Sequence, residues 1–305
     1  MSLPCYWLGV IGMLTDLVLK GTVREGVDLG PLTTYKVGGP ARWLLDADQI
    51  NDLEAVSPYD GPVLVIGRGS NLVVADEGFP GLVIRLGAAF SGIDLKGYDV
   101  SAGSTVPLPA VARAAAKAGI GGFAWMVGVP GSVGGAIRMN AGCFGSDISS
   151  TLTSATVFDL RTGVATEREP ATFDYQYRSS NLNSHEIVLA GQFAGSPGDP
   201  EEIEDAMREI TRWRRDHQPG GTHNAGSVFK NPKGDAAGRI IDDLGLKGTR
   251  VGQVSVSTKH ANFFVAETGA TARDIHGLVS LIQSLVHERT GVWLVPEMVF
   301  VGFEE

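Results

Sequence analysis

The stretch Gly128-Val129-Pro130-Gly131-Ser132-Val133-Gly134-Gly135-Ala136 is the part of the sequence that most constrains the fold. Glycine costs conformational entropy, and it is used where a backbone turns sharply or approaches another group closely. Gly134 and Gly135, followed by the small Ala136, favour a main chain that lies against a flat or charged ligand. The alternative is a glycine-rich crossing of two packed segments. We prefer the ligand interpretation because a similar loop occurs earlier in the chain.

That earlier loop is GRGSNL at residues 67–72, directly after the apolar run 63–66. Two glycines one residue apart let successive N–H groups point into one concavity, and such a nest binds phosphate. Ser70 and Asn71 add side-chain donors. The alternative is a tight turn between strands, and the third glycine of a Rossmann fingerprint is missing. A dinucleotide needs two such surfaces, so the two loops together predict a dinucleotide site outside a Rossmann fold.

The rest of the chain alternates short apolar runs with helical patterns. Strands are predicted at 43–45, 63–66, 82–86, 153–160, 187–193 and 298–303. A helix over 110–118 is preceded by Ser104 or Thr105 as a cap, and a helix over 271–290 ends at Gly291. A third helix begins after the break at 195–198, with Asp199 as its cap. We therefore predict an N-terminal extension over 1–30, one domain over 31–196 and a second over 197–305, with subdomains of about 31–90 and 91–196 in the first.

Composition excludes several classes of protein. The 305 residues carry a formal net charge of -9, so a broad basic surface and a nucleic-acid partner are not expected. Cys5 and Cys143 form no disulfide framework, which fits a reducing cytoplasm. The histidine spacing predicts no metal site. The sequence carries no signal for a particular oligomeric state.

The N-terminal run from Leu3 to Leu19 is apolar but is interrupted by Gly12 and Asp16. It is too short to span a bilayer and lacks the basic start of a signal peptide. We expect a helix or strand here, and no membrane insertion.

Two polar motifs are candidates for chemistry. In the segment 173–180, Arg178 could hold a carboxylate or phosphate with a bidentate fork, and Tyr177 could contact a sugar or ring. The alternative is a surface turn with a solvated arginine. In the segment 224–232, Ser227 follows a glycine and precedes Lys230 and Asn231.

This second motif is not a Gly-x-Ser-x-Gly nucleophile elbow, so the hydroxyl is better suited to donating a proton than to attacking a carbonyl. The alternative is a polar capping turn. Near the end of the chain, Glu297 lies between a proline and an apolar run. It is expected to be either half-buried or solvent-facing.

In their order and spacing, these motifs resemble the UDP-N-acetylenolpyruvoylglucosamine reductases, also called UDP-N-acetylmuramate dehydrogenases. The resemblance runs from about Thr33 to Phe300. Its carrying segments are 34–39, 67–72, 128–142, 177–180, 225–232, 245–248, 259–263 and Pro296-Glu297. It implies an α+β protein with a vanillyl-alcohol-oxidase-type FAD-binding fold of two α/β subdomains, plus a C-terminal α+β substrate domain.

The resemblance also implies an activity. NADPH would reduce non-covalent FAD, and the enolpyruvyl group of UDP-N-acetylglucosamine-enolpyruvate would be reduced to UDP-N-acetylmuramate, a peptidoglycan precursor, in the cytoplasm. By resemblance, the catalytic residues are Arg178, Ser227 and Glu297, and the substrate-binding residues are Tyr177, Arg215, Lys230 and Asn231. The expected FAD-binding residues are Gly67, Arg68, Gly69, Ser70, Asn71, Leu72, Gly128, Pro130, Gly131, Ser132, Gly134, Gly135, Ala136 and Asn140.

The chain departs from the family pattern at two places. Arg68 replaces a glycine that is common in the phosphate loop, and the segment 177–198 lacks the tyrosine-bearing insertion of one subgroup, so the chain resembles the second subgroup. Two other functions are alternatives: a different flavin-dependent oxidase and a non-catalytic nucleotide-binding protein. An oxidase on the same scaffold has no need to protonate an enolate, and a non-catalytic nucleotide-binding protein would not depend on Ser227.

Overall fold

The computed structural model describes residues 12–18, 21–221 and 223–303. Cys5 and the first part of the apolar N-terminal run lie outside the described residues, while residues 12–18 form a helix, α1. The chain divides into two compact units. Unit 1 comprises Met1–Val27, Ala41–Gly67 and Pro80–Thr211, and unit 2 comprises Asp28–Pro40, Arg68–Phe79 and Arg212–Glu305.

The strands and the remaining helices have the following bounds. The strands are β1 Val23–Asp28, β2 Pro40–Ala47, β3 Val63–Val65, β4 Leu72–Val74, β5 Phe79–Leu86, β6 Ile93–Lys96, β7 Asp99–Gly103, β8 Ile120–Gly121, β9 Gly142–Cys143, β10 Ser146–Asp147, β11 Leu152–Asp159, β12 Val164–Arg168, β13 Glu186–Ala194, β14 Ser196–Pro197, β15 Arg250–Val251, β16 Val254–Val256, β17 Phe264–Ala266 and β18 Val299–Val301. The helices are α2 Ile50–Ala55, α3 Leu108–Lys117, α4 Val133–Met139, α5 Pro200–His217, α6 Ala237–Asp243 and α7 Ala272–Thr290.

Unit 1 is built on two sheets. A four-stranded sheet has the order β1-β2-β5-β3, in which β3 runs parallel to β5, and a five-stranded sheet has the order β12-β11-β13-β7-β6. Each sheet has its own hydrophobic core. Leu82 and Ile84 of β5 lie in the first core, and Val111 and Ala115 of α3 lie in the second. The FAD-binding loops of the prediction follow β3 and precede α4.

Unit 2 combines a three-stranded antiparallel sheet, β15-β16-β17, with α6, α7 and the parallel pair β4-β18. One face of α7 is buried through Ile275, Leu278 and Ile282, as the helical spacing of its apolar residues predicts. The helix begins with a capping box between Thr271 and Asp274 and ends at Gly291, whose φ is 73°. These elements support the segments that carry Ser227 and Glu297.

The mixed content of helices and strands agrees with the predicted α+β class. The compact units, however, do not divide at residue 197. The segments 28–40 and 68–79 group with the C-terminal part, because β4 pairs with β18 and the Gly39 N–H donates to the Ala75 carbonyl oxygen at 2.8 Å. A compact unit is not a functional domain, so the assignment of FAD binding to 31–196 and substrate binding to 197–305 stays a prediction.

One predicted cap is wrong. Helix α3 begins at Leu108 with Pro107 in the cap position and no side-chain cap. The Thr105 hydroxyl instead donates to the Phe90 carbonyl oxygen at 2.8 Å. The Leu108 N–H donates to the Gly131 carbonyl oxygen at 3.1 Å. The glycine-rich loop therefore supplies the hydrogen-bond acceptor for the first N–H group of this helix.

No helix within the described ranges is both long enough and apolar enough to cross a lipid bilayer.

Candidate functional site

The two glycine-rich loops meet in unit 1 at Gly67 and Ser132. A Cβ atom added to Gly67 would lie 2.7 Å from the Ser132 Oγ, and Gly67 itself is exposed. Ser132 is the residue before α4, and its hydroxyl caps none of the helix N–H groups. A side chain at position 67 would therefore lie against a hydroxyl that does not cap α4. This is the contact between loops that the sequence could not specify.

In the loop 128–136, the neighbouring residues Gly134 and Gly135 differ in what a side chain would contact. A Cβ at Gly134 would lie 2.9 Å from the Cβ of Ser104, and the Gly134 N–H donates to the Ser104 carbonyl oxygen at 2.8 Å. The packing of α4 against Ser104 therefore requires a glycine at position 134. Gly135 is exposed, and a Cβ there would meet only the Ser132 Oγ, at 3.7 Å. Packing against the described residues of unit 1 does not require a glycine at 135, which agrees with the predicted ligand surface.

The other predicted residues of this loop have mixed surroundings. Gly128 is buried, and a Cβ there would lie 2.7 Å from the Cys143 Sγ. Pro130 is exposed, Gly131 is half-buried and Ala136 is buried. The Ser104 hydroxyl, beside Gly134, is buried without a hydrogen-bond partner among the described residues. Packing therefore accounts for part of this loop, and the FAD contacts expected of its other residues stay a prediction.

The loop GRGSNL divides between the two units after Gly67. In unit 2, Gly69 has a φ of 60°, and a Cβ there would lie 2.2 Å from the Leu32 carbonyl oxygen. Packing and backbone conformation therefore explain this glycine. Arg68 is exposed, Ser70 is half-buried, and Leu72 is buried as the first residue of β4.

Arg178 lies in unit 1 at a tight turn. The main chains of Gln176 and Ser179 are hydrogen-bonded to each other in both directions, so Tyr177 and Arg178 occupy the tip. Arg178 has a φ of 57°, in the left-handed region that disfavours side chains. A strained backbone at an arginine agrees with the prediction that Arg178 is a site residue.

The guanidinium of Arg178 is anchored on the chain that follows α4. It donates to the Asn140 carbonyl oxygen at 3.4 Å and to the Gly142 carbonyl oxygen. Its Cζ also lies 4.9 Å from the centre of the Tyr177 ring, and that ring is 51% exposed. The arginine is half-buried, so it joins the glycine-rich loop to an exposed aromatic surface. Among the predicted residues, Arg178, Tyr177 and Asn140 are therefore brought together.

Asn140 has a structural part in this arrangement. It is buried, ends α4 with a φ of 43°, and accepts from the Ser149 N–H at 3.0 Å through its side-chain oxygen. Its amide group donates to the Gln176 carbonyl oxygen at 3.2 Å. These bonds fix the turn that carries Arg178. A contact of Asn140 with FAD stays a prediction.

In unit 2, the Ser227 segment lies beside the Glu297 segment. The Glu297 N–H donates to the Val228 carbonyl oxygen at 2.8 Å, and the Lys230 N–H donates to the Val295 carbonyl oxygen at 2.8 Å. Val228 and Phe229 are fully buried, whereas Ser227 and Glu297 are half-buried. The two predicted catalytic residues of this unit are thus held on adjacent backbones.

Asn71 of the GRGSNL loop holds Glu297 from another direction. Its side-chain amide donates to the Glu297 carbonyl oxygen at 2.9 Å, and its own carbonyl oxygen accepts from the Val299 N–H at 3.0 Å. The sequence suggested Asn71 only as a donor to FAD. Its side chain instead connects the phosphate loop to the Glu297 backbone.

The predicted substrate residues of unit 2 differ in their surroundings. Asn231 is exposed, but its side-chain oxygen accepts from the Ala237 N–H at 3.1 Å at the start of α6. Arg215 is exposed and forms an ion pair with Asp216 at 3.1 Å. Its carbonyl oxygen accepts from Lys259 at 2.5 Å. Lys230 is half-buried.

Asn262 lies in the segment 259–263 that carries the family resemblance, but the sequence assigned it no role. Its side-chain oxygen accepts from the Phe229 N–H at 3.0 Å, and its amide donates to the Phe229 carbonyl oxygen at 2.8 Å. The available signal was an asparagine within the apolar run 261–265, because a polar side chain in such a run must find a partner. The described residues contain no group of three or more acidic, histidine or cysteine side chains arranged to hold a metal.

Comparison with known proteins relates both parts of the chain to families. Residues 46–167 match the FAD binding domain family, and residues 218–301 match the family described as UDP-N-acetylenolpyruvoylglucosamine reductase, C-terminal domain. The UDP-N-acetylenolpyruvoylglucosamine reductase of Methylorubrum populi is 41% identical over 290 residues, which cover 94% of each chain. That of Parasynechococcus marenigrum is 42% identical over 291 residues, which cover 93% of this chain and 97% of the relative.

A solved structure is also similar over nearly the whole chain. The crystal structure of UDP-N-acetylenolpyruvylglucosamine reductase from Thermus caldophilus has a TM-score of 0.81 and 38% sequence identity to this chain. The match covers 91% of this chain and 98% of that one.

Proposed function

The chain belongs to the UDP-N-acetylenolpyruvoylglucosamine reductase family, and from that membership we propose how its own residues carry out the reaction. It is an FAD-dependent oxidoreductase of peptidoglycan precursor synthesis, with NADPH as the reductant. The reaction reduces the enolpyruvyl group of UDP-N-acetylglucosamine-enolpyruvate to give UDP-N-acetylmuramate.

The glycine-rich loops fit an FAD pyrophosphate. Gly67 and Gly135 are exposed positions where a Cβ would add bulk beside the Ser132 hydroxyl, and that hydroxyl caps no helix N–H group. A phosphate oxygen is a suitable acceptor for such a hydroxyl and for main-chain N–H groups near a helix start. We assign Gly67, Ser132 and Gly135 to FAD binding, with the remaining residues of the two loops shaping the surface.

Bound FAD supplies the chemistry that carries a hydride from NADPH to the terminal carbon of the enolpyruvyl double bond. As that carbon gains hydrogen, the electron pair of the double bond moves to the adjacent carbon and into the carboxylate. The protein must therefore stabilise negative charge at the carboxylate and deliver a proton to the adjacent carbon. Arg178 and Glu297 are assigned to the first task and Ser227 to the second.

Arg178 binds the carboxylate in this proposal. A planar guanidinium fixed by two main-chain carbonyl oxygens is pre-oriented, so little reorganisation is needed when charge develops. Glu297 is assigned to the same carboxylate, either as a protonated acid or through a hydrogen-bonding partner, because an anionic side chain there would repel the developing charge. Tyr177, Arg215, Lys230 and Asn231 bind the rest of the UDP-sugar.

Ser227 donates the proton. A serine hydroxyl is a weak acid, so a neighbouring donor must return the proton to its oxygen, and Lys230 is the cation on the same short segment. The observation that carries the proposal is the hydrogen bond from the Glu297 N–H to the Val228 carbonyl oxygen, at 2.8 Å. It supports a shared site for Ser227 and Glu297, because it holds the two segments that carry these residues side by side.

We also propose that residues 31–196 form the FAD-binding domain and residues 197–305 the substrate-binding domain of a second-subgroup enzyme. A cytoplasmic location follows from its reactants, since NADPH and UDP-sugars are made inside the cell.

The test separates the two half-reactions in stopped flow. Ser227→Ala should slow substrate reduction by roughly 10²–10⁴-fold while NADPH reduces the flavin at the normal rate. Ser284→Ala, on the exposed side of α7, is the matched control and should leave both rates unchanged. If Ser227→Ala lowered both rates together, or neither, Ser227 would not be the proton donor.

A further inference from the structure

We propose that Asn262 is a positioning residue for Ser227, acting through the main chain of the two residues that follow it. The inference rests on the proposed role of Ser227 as proton donor. It concerns a residue that touches neither substrate nor cofactor in the proposed mechanism.

Every main-chain hydrogen-bonding group of Val228 and Phe229 has an assigned partner. The Val228 N–H donates to the Asn262 carbonyl oxygen at 2.9 Å. The Phe229 N–H and carbonyl oxygen both bond to the Asn262 side chain, at 3.0 and 2.8 Å. The remaining group, the Val228 carbonyl oxygen, accepts from Glu297. One asparagine and the Glu297 backbone thus fix both residues after Ser227.

The side-chain amide of Asn262 pairs with the Phe229 main chain as a residue of a neighbouring strand would. A carboxamide presents one donor and one acceptor on the same edge, which is the pattern of a backbone residue in an extended pair. Asn262 is only 4% exposed, so water does not compete for these bonds. The Phe229 ring packs edge-to-face on the Phe264 ring, with 6.0 Å between the ring centres, and this hydrophobic contact also holds Phe229 in place.

The chain before Ser227 is held by separate contacts, since Ala225 is 6% exposed and the Gly226 N–H donates to the Asn224 Oδ1 at 3.2 Å. The chain after Ser227 is held by Asn262, so the position of the Ser227 hydroxyl depends on the bonds of Asn262 as well. A proton donor displaced by about 1 Å loses on the order of 10²-fold in rate. Loss of the Asn262 amide should therefore lower the rate of substrate reduction.

Two substitutions test this arrangement. Asn262→Asp keeps an acceptor for the Phe229 N–H but sets a carboxylate oxygen against the Phe229 carbonyl oxygen. Asn262→Leu keeps the volume and leaves both Phe229 groups without a partner. Each should slow substrate reduction about 10–100-fold at a temperature where the variant is folded, with flavin reduction by NADPH unchanged. Thr33→Val is the control, because it removes another buried side-chain bond of unit 2, from the Thr33 hydroxyl to the Val37 carbonyl oxygen at 3.1 Å.

A double-mutant cycle then separates positioning from general weakening. In a Ser227→Ala background, Asn262→Asp should have less than about a 2-fold effect, since there is no hydroxyl left to position. The same slowing in both backgrounds, or no slowing in the wild-type background, would overturn the inference while leaving Ser227 as the donor. Normal substrate reduction in Ser227→Ala would instead reject the proposed function of Ser227.

Hydrogen exchange gives a readout that does not depend on activity. In Asn262→Leu, exchange at the Phe229 amide should accelerate at least about 10-fold, while the amides of α7 keep their protection. Unchanged exchange at Phe229 would show that Asn262 does not restrain this segment, and it would overturn the inference.

Discussion

Arg178 and Gly142 are joined by a hydrogen bond from the guanidinium of the first to the carbonyl oxygen of the second, although Arg178 lies in the left-handed backbone region. That conformation costs about 1–2 kcal/mol for a residue with a side chain. A second bond, to the Asn140 carbonyl oxygen at 3.4 Å, completes the anchoring. The backbone strain at Arg178 therefore accompanies two hydrogen bonds that hold its guanidinium in one orientation.

Arg178→Lys tests the orientation and not only the charge. Lysine keeps the positive charge but cannot span two carbonyl oxygens with a planar fork, so its ammonium group should be poorly placed. We expect kcat/KM for the UDP-sugar to fall on the order of 10–100-fold, with little change in the rate at which NADPH reduces the flavin. Steady-state and single-turnover kinetics check this. Near-normal kcat/KM would mean that charge alone suffices.

Neighbouring glycines of α4 provide a matched pair of variants. Gly134→Val should destabilise the protein by about 1–3 kcal/mol, because its Cβ would lie 2.9 Å from the Ser104 Cβ. Gly135→Val should fold normally, because a Cβ there meets only the Ser132 Oγ at 3.7 Å. It should nevertheless weaken FAD binding by about 10-fold or more, which corresponds to roughly 1.4 kcal/mol. Thermal unfolding of the apoprotein and flavin titration measure the two effects, and tight FAD binding by Gly135→Val would contradict the assigned surface.

Asn71→Leu distinguishes two roles for the Asn71 side chain. If its main task is the bond to the Glu297 carbonyl oxygen, at 2.9 Å, the variant should retain FAD and slow substrate reduction by about 10-fold. If its main task is to bind the cofactor, the purified variant should lose its yellow colour. Flavin content and the two half-reaction rates decide between them.

His260 should make stability depend on pH. Burial, and the nearby Lys247 and His217, lower the pKa of His260 below its usual value, while Asp242 opposes the shift. The unfolded chain therefore binds this proton more readily than the folded one. The stabilising contribution is complete above about pH 6.5 and is lost as the pH falls below it.

The comparison is between wild type and His260→Asn in urea unfolding from pH 7.5 to 5. The variant should lose part of the decrease in unfolding free energy on acidification. Parallel curves for the two proteins would mean that other groups cause the decrease. The geometry is consistent with a neutral ring, because the Asn262 N–H donates to the His260 Nδ1 at 3.2 Å.

The sequence predicts long periodic elements and local motifs well. The helix over 271–290 and its end at Gly291 are confirmed, because a capping box, an apolar stripe and a terminal glycine are all local signals. The Asp199 cap is confirmed as well, since its side chain accepts from the Glu201 N–H at 2.8 Å. The cap predicted for α3 is wrong because the glycine-rich loop, distant in sequence, takes over the start of that helix.

The site is harder to predict for the same reason. Motif order identified Arg178, Ser227 and Glu297 as candidates, and their roles stay predictions. The close approach of Gly67 to Ser132 and the bonds from Asn262 to Phe229 depend on tertiary packing. Asn71 illustrates the difficulty, because its place in a phosphate-binding pattern gave no hint of a partner 226 positions away.

The pairing of β4 with β18 also has a consequence for the order of events during protein synthesis. Strand β4, at Leu72–Val74, has its parallel partner in Val299–Val301, which leaves the ribosome long after β4. Loop closure over so long a separation is slow. Unit 1 has all its residues once Thr211 has emerged, whereas unit 2 cannot pair β4 with β18 until Val301 has emerged. Nascent chains stalled before Val299 should therefore lack the β4–β18 pair that lies beside the Glu297 backbone.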